Sequence, residues 1–380
     1  MKYSLLVMIF ATLLALAGCE KSEPTLTTQP ISFSDLPNWE KDALTEVWPA
    51  FIRSCQKLNA LPKETNFLNG KPVSDWHGVC TLSLALKDPS ESEIRAFFKT
   101  HFTPYKVSDG RTSEGLFTGY YEPELNGSRI KTEKYQAPLY KKPKDLIVIE
   151  DLGIFNQKLK GFQISGRLLD GTLKPYYTHA EIDKGAITGN ELMWVEDSID
   201  AFFAQIQGST AIKLEDGEQI RLGYSAANGH PYTAIGKPLI QQKALTPENV
   251  SMQSIRAWLK AHPEQAKDIL YLNASFVFFR EIKGEGPIGA QGVALTPGRS
   301  LAIDPAYISF GTLIWLDINH PTKTQERIQR LVVAQDKGGA IKGPVRGDLF
   351  WGTGNQAGES AGVMKSKGSY YLLLPNTQKQ

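Results

Sequence analysis

Two aspartates lie in a segment that is unusually rich in glycine. Asp336 and Asp348 fall within residues 335–354, which contain six glycines in twenty positions. Glycine permits a positive φ and a close approach of backbone to ligand, so the segment can form tight corners at which two carboxylates converge. Such carboxylates are suited to general acid–base chemistry. The alternative is an ordinary glycine-rich corner of a β-barrel with solvated aspartates.

Several other kinds of site are not supported. Gly352-Thr353-Gly354 is too short for a dinucleotide-binding fingerprint, and no Gly-Lys-Ser/Thr follows the earlier glycines. The G-x-S-x-G pattern of serine hydrolases and a Cys/His cluster at metal-binding spacing are both absent from the sequence. Acidic and basic residues are interspersed, with a net charge of +2, which does not indicate a nucleic-acid surface. We therefore expect no metal, no cofactor and no nucleic-acid partner.

Two further segments combine aromatic and hydrogen-bonding side chains in a way that suits sugars. A pyranose offers a flat C–H face for stacking and hydroxyls for hydrogen bonds. The segment 117–123 supplies Thr118, Tyr120 and Tyr121, and the segment 202–209 supplies Gln205, Gln207 and Ser209. The alternatives are a strand with one buried aromatic face and a helix cap.

The N-terminus has the features of a bacterial lipoprotein signal peptide. Lys2 precedes an apolar run from Leu5 to Leu16, and small residues then lead to Cys19. The run is too short for a membrane-spanning helix, which needs ~20 residues. We expect residues 1–18 to be removed and Cys19 to be lipidated, so that acyl chains hold the protein at a membrane. Glu20, in place of Asp, favours an outer-membrane location facing the periplasm.

The rest of the chain predicts a largely β protein of two domains. About 360 residues exceed what one hydrophobic core usually organises. Residues 19–35 are polar and without periodicity, as in a flexible tether. Apolar spacing predicts helices over 39–58, after Glu91, around 200–206 and over 247–261. From Leu116 onward the chain otherwise has the pattern of strands, and barrels are favoured over a parallel α/β sheet.

Cys55 and Cys80 are the only cysteines after Cys19. An oxidising periplasm would permit them to pair. Spacing alone does not place their Cα atoms within bridging range, so a disulfide and two buried thiols both stay open.

Five segments taken together resemble the membrane-bound lytic murein transglycosylase A family, in the family's order and over nearly the whole chain after residue 19. They are Phe117–Pro123, Asp197–Ser209, Gly223–Tyr224 with Asn228–Tyr232, Ser275–Phe279 and Asp336–Gly352. The C-terminal part also resembles the module named for three aspartates, here Asp304, Asp336 and Asp348.

The resemblance implies a fold and a set of roles. It implies a double-psi β-barrel catalytic domain of residues 36–123 and 276–380, with a few peripheral helices. It also implies a smaller inserted β-barrel domain of residues 124–275 that forms the other wall of a glycan groove. Asp348 matches the family's acid/base aspartate, and Asp336 and Asp304 would shape the site. The substrate-binding residues would be Thr118, Tyr120, Tyr121, Gln205, Gln207, Ser209 and Lys342.

The implied activity is that of a lytic exotransglycosylase, a lyase that acts on peptidoglycan in cell-wall turnover and remodelling. It cleaves the β-1,4 bond between N-acetylmuramic acid and N-acetylglucosamine and forms a 1,6-anhydro sugar. One carboxyl group suffices because the C6 hydroxyl of the substrate is the nucleophile. The expected partners are glycan strands and cell-wall synthesis or remodelling proteins. A two-carboxylate hydrolase using Asp336 and Asp348, or a polysaccharide-binding lipoprotein without catalysis, are the alternatives.

Overall fold

The computed structural model describes residues 24–67, 72–284 and 286–376. The predicted signal peptide and lipidated Cys19 lie outside these ranges. The described chain is mostly β with some helices, as predicted. No helix in these ranges is long and apolar enough to cross a membrane.

The strands are Thr27–Pro30 (β1), Phe102–Ser108 (β2), Gly115–Glu122 (β3), Glu124–Ser128 (β4), Ala137–Tyr140 (β5), Ile147–Ile149 (β6), Ile164–Leu169 (β7), Thr172–Pro175 (β8), Glu191–Val195 (β9), Ser209–Lys213 (β10), Gln219–Ala227 (β11), Val277–Ile282 (β12), Ser300–Ala302 (β13), Leu313–Asn319 (β14), Arg327–Asp336 (β15), Arg346–Thr353 (β16) and Lys365–Pro375 (β17). The α-helices are Trp48–Asn59 (α1), Ser74–Ala85 (α2), Glu91–His101 (α3), His179–Asp183 (α4), Ser198–Gln207 (α5), Gly236–Gln241 (α6), Met252–Ala261 (α7), Pro263–Tyr271 (α8) and Asn355–Val363 (α9). Short 3-10 helices span Phe33–Asp35, Trp39–Lys41, Leu44–Glu46, Leu152–Ile154 and Gln157–Leu159.

The first sheet contains eight strands in the order β1-β2-β17-β14-β15-β13-β16-β3. Strand β3 also pairs with β17, so the pairings of six strands return to their starting point. Side chains alternate between the two faces of a strand. In β14, Leu313 and Trp315 pack with α1, α2 and α3, whereas Ile314 and Leu316 pack in a second cluster with Phe117.

A second sheet has the order β12-β11-β10-β4-β9-β5. Strands β12 and β5 lie at the two edges of this sheet. An isolated parallel bridge joins Phe279 on β12 to Lys141, the residue directly after β5. Helix α5 packs against this sheet and ends at Gly208, whose φ of 77° is the left-handed conformation that suits glycine at a helix C-terminus. A third, small sheet consists of β6, β7 and β8.

The first two sheets meet where the chain passes from β3 to β4. The carboxylate of Glu122 is buried and accepts hydrogen bonds from Arg221 Nε at 2.9 and 3.0 Å and from Thr353 Oγ1 at 2.8 Å. Arg221 Nη1 also donates to the carbonyl of Gly284, where the chain leaves the second sheet. One arginine therefore contacts both chain passages between the two sheets.

The helix predictions were right in kind but not in every boundary. The predicted helix over 39–58 begins only at Trp48, since Pro49 has no N–H to continue a helix from the preceding turn. The helix predicted from Pro247 begins at Met252, after a Ser251 cap. Helices α3 and α5 lie where they were predicted. Helices α4, α6, α8 and α9 were wrongly included in the stretch assigned mostly to strands.

The predicted tether is corrected at its C-terminal end. Thr27–Pro30 forms β1, which pairs with β2 over four residues. Its polar side chains are no obstacle because an edge strand is held by backbone hydrogen bonds and its side chains can remain in water. The domain boundaries themselves stay a prediction, although β12 pairs within the second sheet. The open question about the two cysteines has an answer in the structure, where Cys55 and Cys80 form a disulfide between α1 and α2.

Candidate active site

Four strands of the first sheet bring three of the predicted site residues, Asp336, Asp348 and Thr118, together. Asp348 on β16 lies opposite Thr118 on β3 and opposite Ala302 on β13. Ala302 in turn lies opposite Asp336 on β15. The two aspartates are therefore two strand spacings apart, roughly 10 Å between Cα atoms, with an alanine between them. Far-separated segments of the sequence thus supply one row of polar side chains.

Side chains alternate between the two faces of β16, and this alternation places Asp348 on the face opposite the core. Gly347 and Leu349 point toward the core, where Leu349 is buried in the cluster that contains Phe117. Asp348 points to the opposite side, and a Cβ on Gly347 would come within 3.0 Å of the Phe117 ring. Burial of the odd-numbered neighbours fixes the register, and this register places the aspartate on the other face.

Asp348 is partly buried and has one hydroxyl partner. Thr118 Oγ1 donates to Asp348 Oδ1 at 2.7 Å, and Arg346 Nη2 donates to that same threonine oxygen at 2.8 Å. Burial raises the pKa of Asp348 to about 6, and the charge of Asp336 acts in the same direction. The Thr118 hydrogen bond and the Arg346 charge oppose this rise. A carboxyl group with such a pKa can both donate and accept a proton near neutral pH.

Asp336 is held from three directions. Its Oδ1 accepts from the backbone N–H groups of Ala290 and Lys337, both at 2.9 Å, and its Oδ2 accepts from the Tyr120 hydroxyl at 3.0 Å. Burial raises the pKa of Asp336, and these hydrogen bonds oppose the rise. The Tyr120 ring packs against Phe350 with 5.3 Å between centroids. Asp336 is thus fixed in place, and it fixes Tyr120.

Asp304 contacts the backbone of the glycine-rich segment. Its Oδ2 accepts from Gly343 N at 2.9 Å, and its Oδ1 accepts from Ala306 N at 3.2 Å. Lys342, whose side chain is largely exposed, lies 3.9 Å from Asp304. Because its ammonium group lies in solvent beside Asp304, Lys342 is not among the groups that lower the pKa of Asp348. Its predicted contact with substrate stays a prediction.

The other predicted sugar-contact residues are mostly buried. The Tyr121 ring packs against Ala357 and Ala361 of α9. Gln205 and Ser209 are buried, and Gln205 Oε1 accepts from Val277 N at 3.4 Å. Gln207 Oε1 accepts from the backbone N–H of Tyr121 at 3.0 Å. The glutamines thus join α5 to the two sheets, and sugar contacts by these four residues stay predictions.

Some members of this site were not identified from the sequence. The Ala290 N–H that binds Asp336 belongs to a backbone, so no residue type could have revealed it. Phe350 carried a weak signal, since it lies two residues after Asp348 and therefore on the same face of β16, where it is buried. Arg346, two residues before Asp348 in the sequence, lowers the pKa of Asp348 through its charge.

Comparison with known families and structures adds independent findings. Residues 116–280 match the family model described as the MltA specific insert domain, and residues 299–374 match the 3D domain. The chain is 33% identical over 265 residues to the membrane-bound lytic murein transglycosylase A of Escherichia coli (strain K12). This alignment covers 68% of the chain and 65% of the relative, slightly less than two thirds of its length.

Solved structures are similar over almost the entire length. A membrane-bound lytic murein transglycosylase from Agrobacterium tumefaciens has 32% identity and a TM-score of 0.81, with 92% of this chain and 98% of that chain covered. Escherichia coli MltA with bound chitohexaose has 25% identity and a TM-score of 0.64, with 93% of each chain covered.

Proposed function

Because the chain belongs to the membrane-bound lytic murein transglycosylase A family, we propose that it cleaves peptidoglycan glycan strands and leaves 1,6-anhydro-N-acetylmuramic acid at the new end. The observation that carries this proposal is the partly buried Asp348, whose pKa is raised to about 6 on a row of polar side chains. A protonated carboxyl group at near-neutral pH is what protonation of a glycosidic oxygen requires.

Asp348 serves as the acid and then as the base. It first donates its proton to the oxygen of the β-1,4 bond between N-acetylmuramic acid and N-acetylglucosamine, and this bond breaks. The resulting carboxylate then accepts the proton of the C6 hydroxyl, whose oxygen bonds to the anomeric carbon. The proton count balances, and no water is consumed. Thr118, which donates to Asp348 Oδ1, orients the carboxyl group for both steps.

A two-carboxylate hydrolase is less well supported. Such an enzyme needs a second carboxylate that is free to attack or to activate water. Both oxygens of Asp336 already accept hydrogen bonds, from Ala290, Lys337 and Tyr120. We therefore assign Asp336 the role of positioning Tyr120 and raising the pKa of Asp348.

The fold and location proposed from the sequence extend this function. We infer that the six-strand ring of pairings in the first sheet is the double-psi β-barrel, and that the second sheet forms the other wall of a glycan groove. Chitohexaose bound to the Escherichia coli relative supports a groove for β-1,4-linked amino sugars. Lipidated Cys19 would hold the protein at the outer membrane, facing the periplasm, within reach of cell-wall synthesis or remodelling proteins.

Mass spectrometry of muropeptides released from purified peptidoglycan tests the activity. The wild type should release products one water lighter than hydrolytic products, and Asp348→Asn should reduce the rate by ~10² to 10⁴-fold. The exposed Asp216→Asn is the matched control and should retain the wild-type rate. Products with a reducing end would support the hydrolase. Full activity of Asp348→Asn would mean that Asp348 has no catalytic role and is only a solvated aspartate at a barrel corner.

A further inference from the structure

A buried polar cluster joins α1 to the strand that carries Asp336. Gln335 and Ser54 are both completely buried. Because Gln335 directly precedes Asp336, its side chain points to the opposite face of β15, the face that packs with α1. There Gln335 Nε2 donates to the Ala50 carbonyl at 2.9 Å and to Ser54 Oγ at 2.8 Å. The strand is therefore fixed to α1 by side-chain hydrogen bonds one residue before the carboxylate.

The Ser54 hydroxyl connects this amide to a second glutamine. It accepts from Gln335 and donates to Gln291 Oε1 at 2.8 Å. Gln291 lies in the tight turn Gly289–Gly292, which is closed by a backbone hydrogen bond of 2.8 Å between its two ends. The Gln291 N–H also donates to the backbone carbonyl of Gln335 at 3.0 Å. The two glutamines are therefore joined twice, once through the backbone and once through the serine.

The turn matters because one of its central N–H groups binds Asp336. Ala290 N donates to Asp336 Oδ1 at 2.9 Å. The turn lies close against the strand, since a Cβ on Gly289 would be 2.5 Å from the Gln335 carbonyl oxygen. A hydrogen bond weakens steeply when its distance or angle departs from the preferred range. The position of the turn therefore decides whether Asp336 keeps this hydrogen bond.

Helix α1 holds the same segment at a second point. Arg53 Nε donates to the Ala294 carbonyl at 3.1 Å, and Arg53 Nη2 donates to Thr296 Oγ1. Arg53 and Ser54 follow Ala50 by three and four residues, so all three lie on one face of the helix. Buried polar networks fix one arrangement of the groups that they join. One helix therefore supports both the strand that carries the aspartate and the turn that binds it.

We propose that this buried cluster positions the active site by holding the turn so that its N–H stays on Asp336. The positioning residues are Ser54, Gln291 and Gln335. They act through Asp336 and not on the substrate. The inference rests on the proposed function, in which Asp336 positions Tyr120.

Loss of the Ser54 hydroxyl should change the pH dependence of the reaction as well as the stability of the fold. Without the N–H of the turn the Asp336 carboxylate is less stabilised, so the pKa of Asp336 rises further. Asp336 then keeps its proton to a higher pH, and its charge contributes less to the raised pKa of Asp348. The alkaline limb of kcat/KM should therefore move to lower pH. The other groups that act on the two aspartates stay in place, and they are Lys337 and Tyr120 for Asp336 and Thr118 and Arg346 for Asp348.

Ser54→Ala tests the proposal with soluble glycan strands, at a temperature below the unfolding transition of each variant. We expect kcat/KM to fall about tenfold, since a misplacement of ~1 Å can cost as much as ~10²-fold. Ser83→Ala is the matched control, because Ser83 is an equally buried helical serine whose hydroxyl donates to the Cys80 carbonyl at 2.9 Å and not to the turn. It should lower the melting temperature by a similar amount and leave the rate and the pH profile unchanged.

A second variant tests whether the serine acts through the glutamine of the turn. Gln291→Met replaces the amide by an apolar side chain of similar length and should also lower kcat/KM. Combined with Ser54→Ala it should lower kcat/KM little further, because residues of one network are not additive. Losses that multiply in the double variant would show that the two residues act separately.

A measurement that does not use activity separates this inference from the proposed function. Asp348→Asn gains stability over the parent chain above the pH at which Asp348 ionises. Thermal unfolding should show this gain beginning at lower pH in the Ser54→Ala background than in the wild-type background. Release of no anhydro sugar by the wild type would refute the proposed function and leave this shift measurable. An unchanged onset of the gain, or equal effects of Ser54→Ala and Ser83→Ala on the pH profile, would overturn the inference.

Discussion

The buried Glu122 and the partly buried Asp348 are carboxylates on neighbouring strands of the same sheet. Each has an arginine nearby, yet the two arginines are used differently. Arg221 Nε donates directly to both oxygens of Glu122 at 2.9 and 3.0 Å. Arg346 instead donates to the Thr118 hydroxyl, and this hydroxyl donates to Asp348. A threonine thus separates the second arginine from its carboxylate.

The difference determines which carboxyl group can exchange a proton. Burial raises the pKa of both groups, so burial does not distinguish them. A direct guanidinium contact holds Glu122 in a charge-assisted pair between two sheets, where proton transfer has no role. At Asp348 the weaker hydroxyl contact leaves the group able to lose and regain a proton. Arg221 contacts Glu122 directly, whereas the Thr118 hydroxyl lies between Arg346 and Asp348. This difference distinguishes the structural carboxylate, Glu122, from the proposed catalytic one, Asp348.

The largest expected effect is at the Glu122 pair. Arg221→Met leaves a buried carboxylate without its cation and should lower the free energy of unfolding by ~3 to 5 kcal/mol, as measured by urea denaturation. The double variant Arg221→Met with Glu122→Gln removes the charge as well and should recover much of this loss. If the single and double variants were equally unstable, the pair would matter through packing only.

Replacement of Asp348 should have the opposite effect on stability. Its pKa is about 6 in the folded protein and ~3.9 when unfolded. Because the folded-state pKa of Asp348 is raised, the free energy of unfolding is highest below pH ~3.9, where Asp348 is protonated in both states. It falls as pH rises through about 6, where Asp348 ionises in the folded protein. Asp348→Asn cannot ionise, so it should match the wild type near pH 4 and exceed it above pH 7, by up to about 3 kcal/mol.

Thermal unfolding across this pH range measures the difference between the two proteins. Exposed Asp216→Asn should show no such pH-dependent gain. A constant difference between wild type and Asp348→Asn at all pH values would mean that Asp348 does not carry the raised pKa.

The smallest effect is expected from Thr118→Val, which keeps the branched shape and removes the hydroxyl. Loss of the hydrogen bond to the carboxylate should raise the pKa of Asp348, so the alkaline limb of the pH–activity profile should move to higher pH, by about one unit or less. The limb is measured as kcat/KM against pH with soluble glycan strands. A shift to lower pH would show that Arg346 moves onto Asp348 once the threonine is gone, making this site resemble Glu122.

The proximity of the two aspartates was easier to predict from the sequence than the elements around them. Asp336 and Asp348 stood out because glycines cluster around them, and the strand pairings bring both to the two sides of Ala302. Helix α9 was missed because Gly358 and Gly362 lie within it, and glycine normally counts against a helix. Its glycines are explained only by tertiary contacts, since a Cβ at Gly358 would lie 2.8 Å from the Tyr121 ring.

The Glu122 pair shows what a sequence pattern cannot supply. Glu122 belonged to a segment selected for sugar binding, and Arg221 drew no notice, because ninety-nine residues separate the two partners. Helix α2 is a different case. Its buried Trp76, Val79, Cys80 and Ser83 follow helical spacing, so its signal was present and was not used.

Strand β1 has a consequence for how far the enzyme can act from its attachment point. With lipid on Cys19, the chain between the anchor and the first paired residue, Thr27, is eight residues long, which at full extension covers at most ~28 Å. A tether running to residue 35 would have covered twice that distance. Because accessible volume grows with the cube of the radius, pairing of four residues at a sheet edge reduces the wall volume swept by the tether roughly eightfold. With the lipid anchor that we propose, the edge strand would set the distance from the membrane over which the enzyme can act.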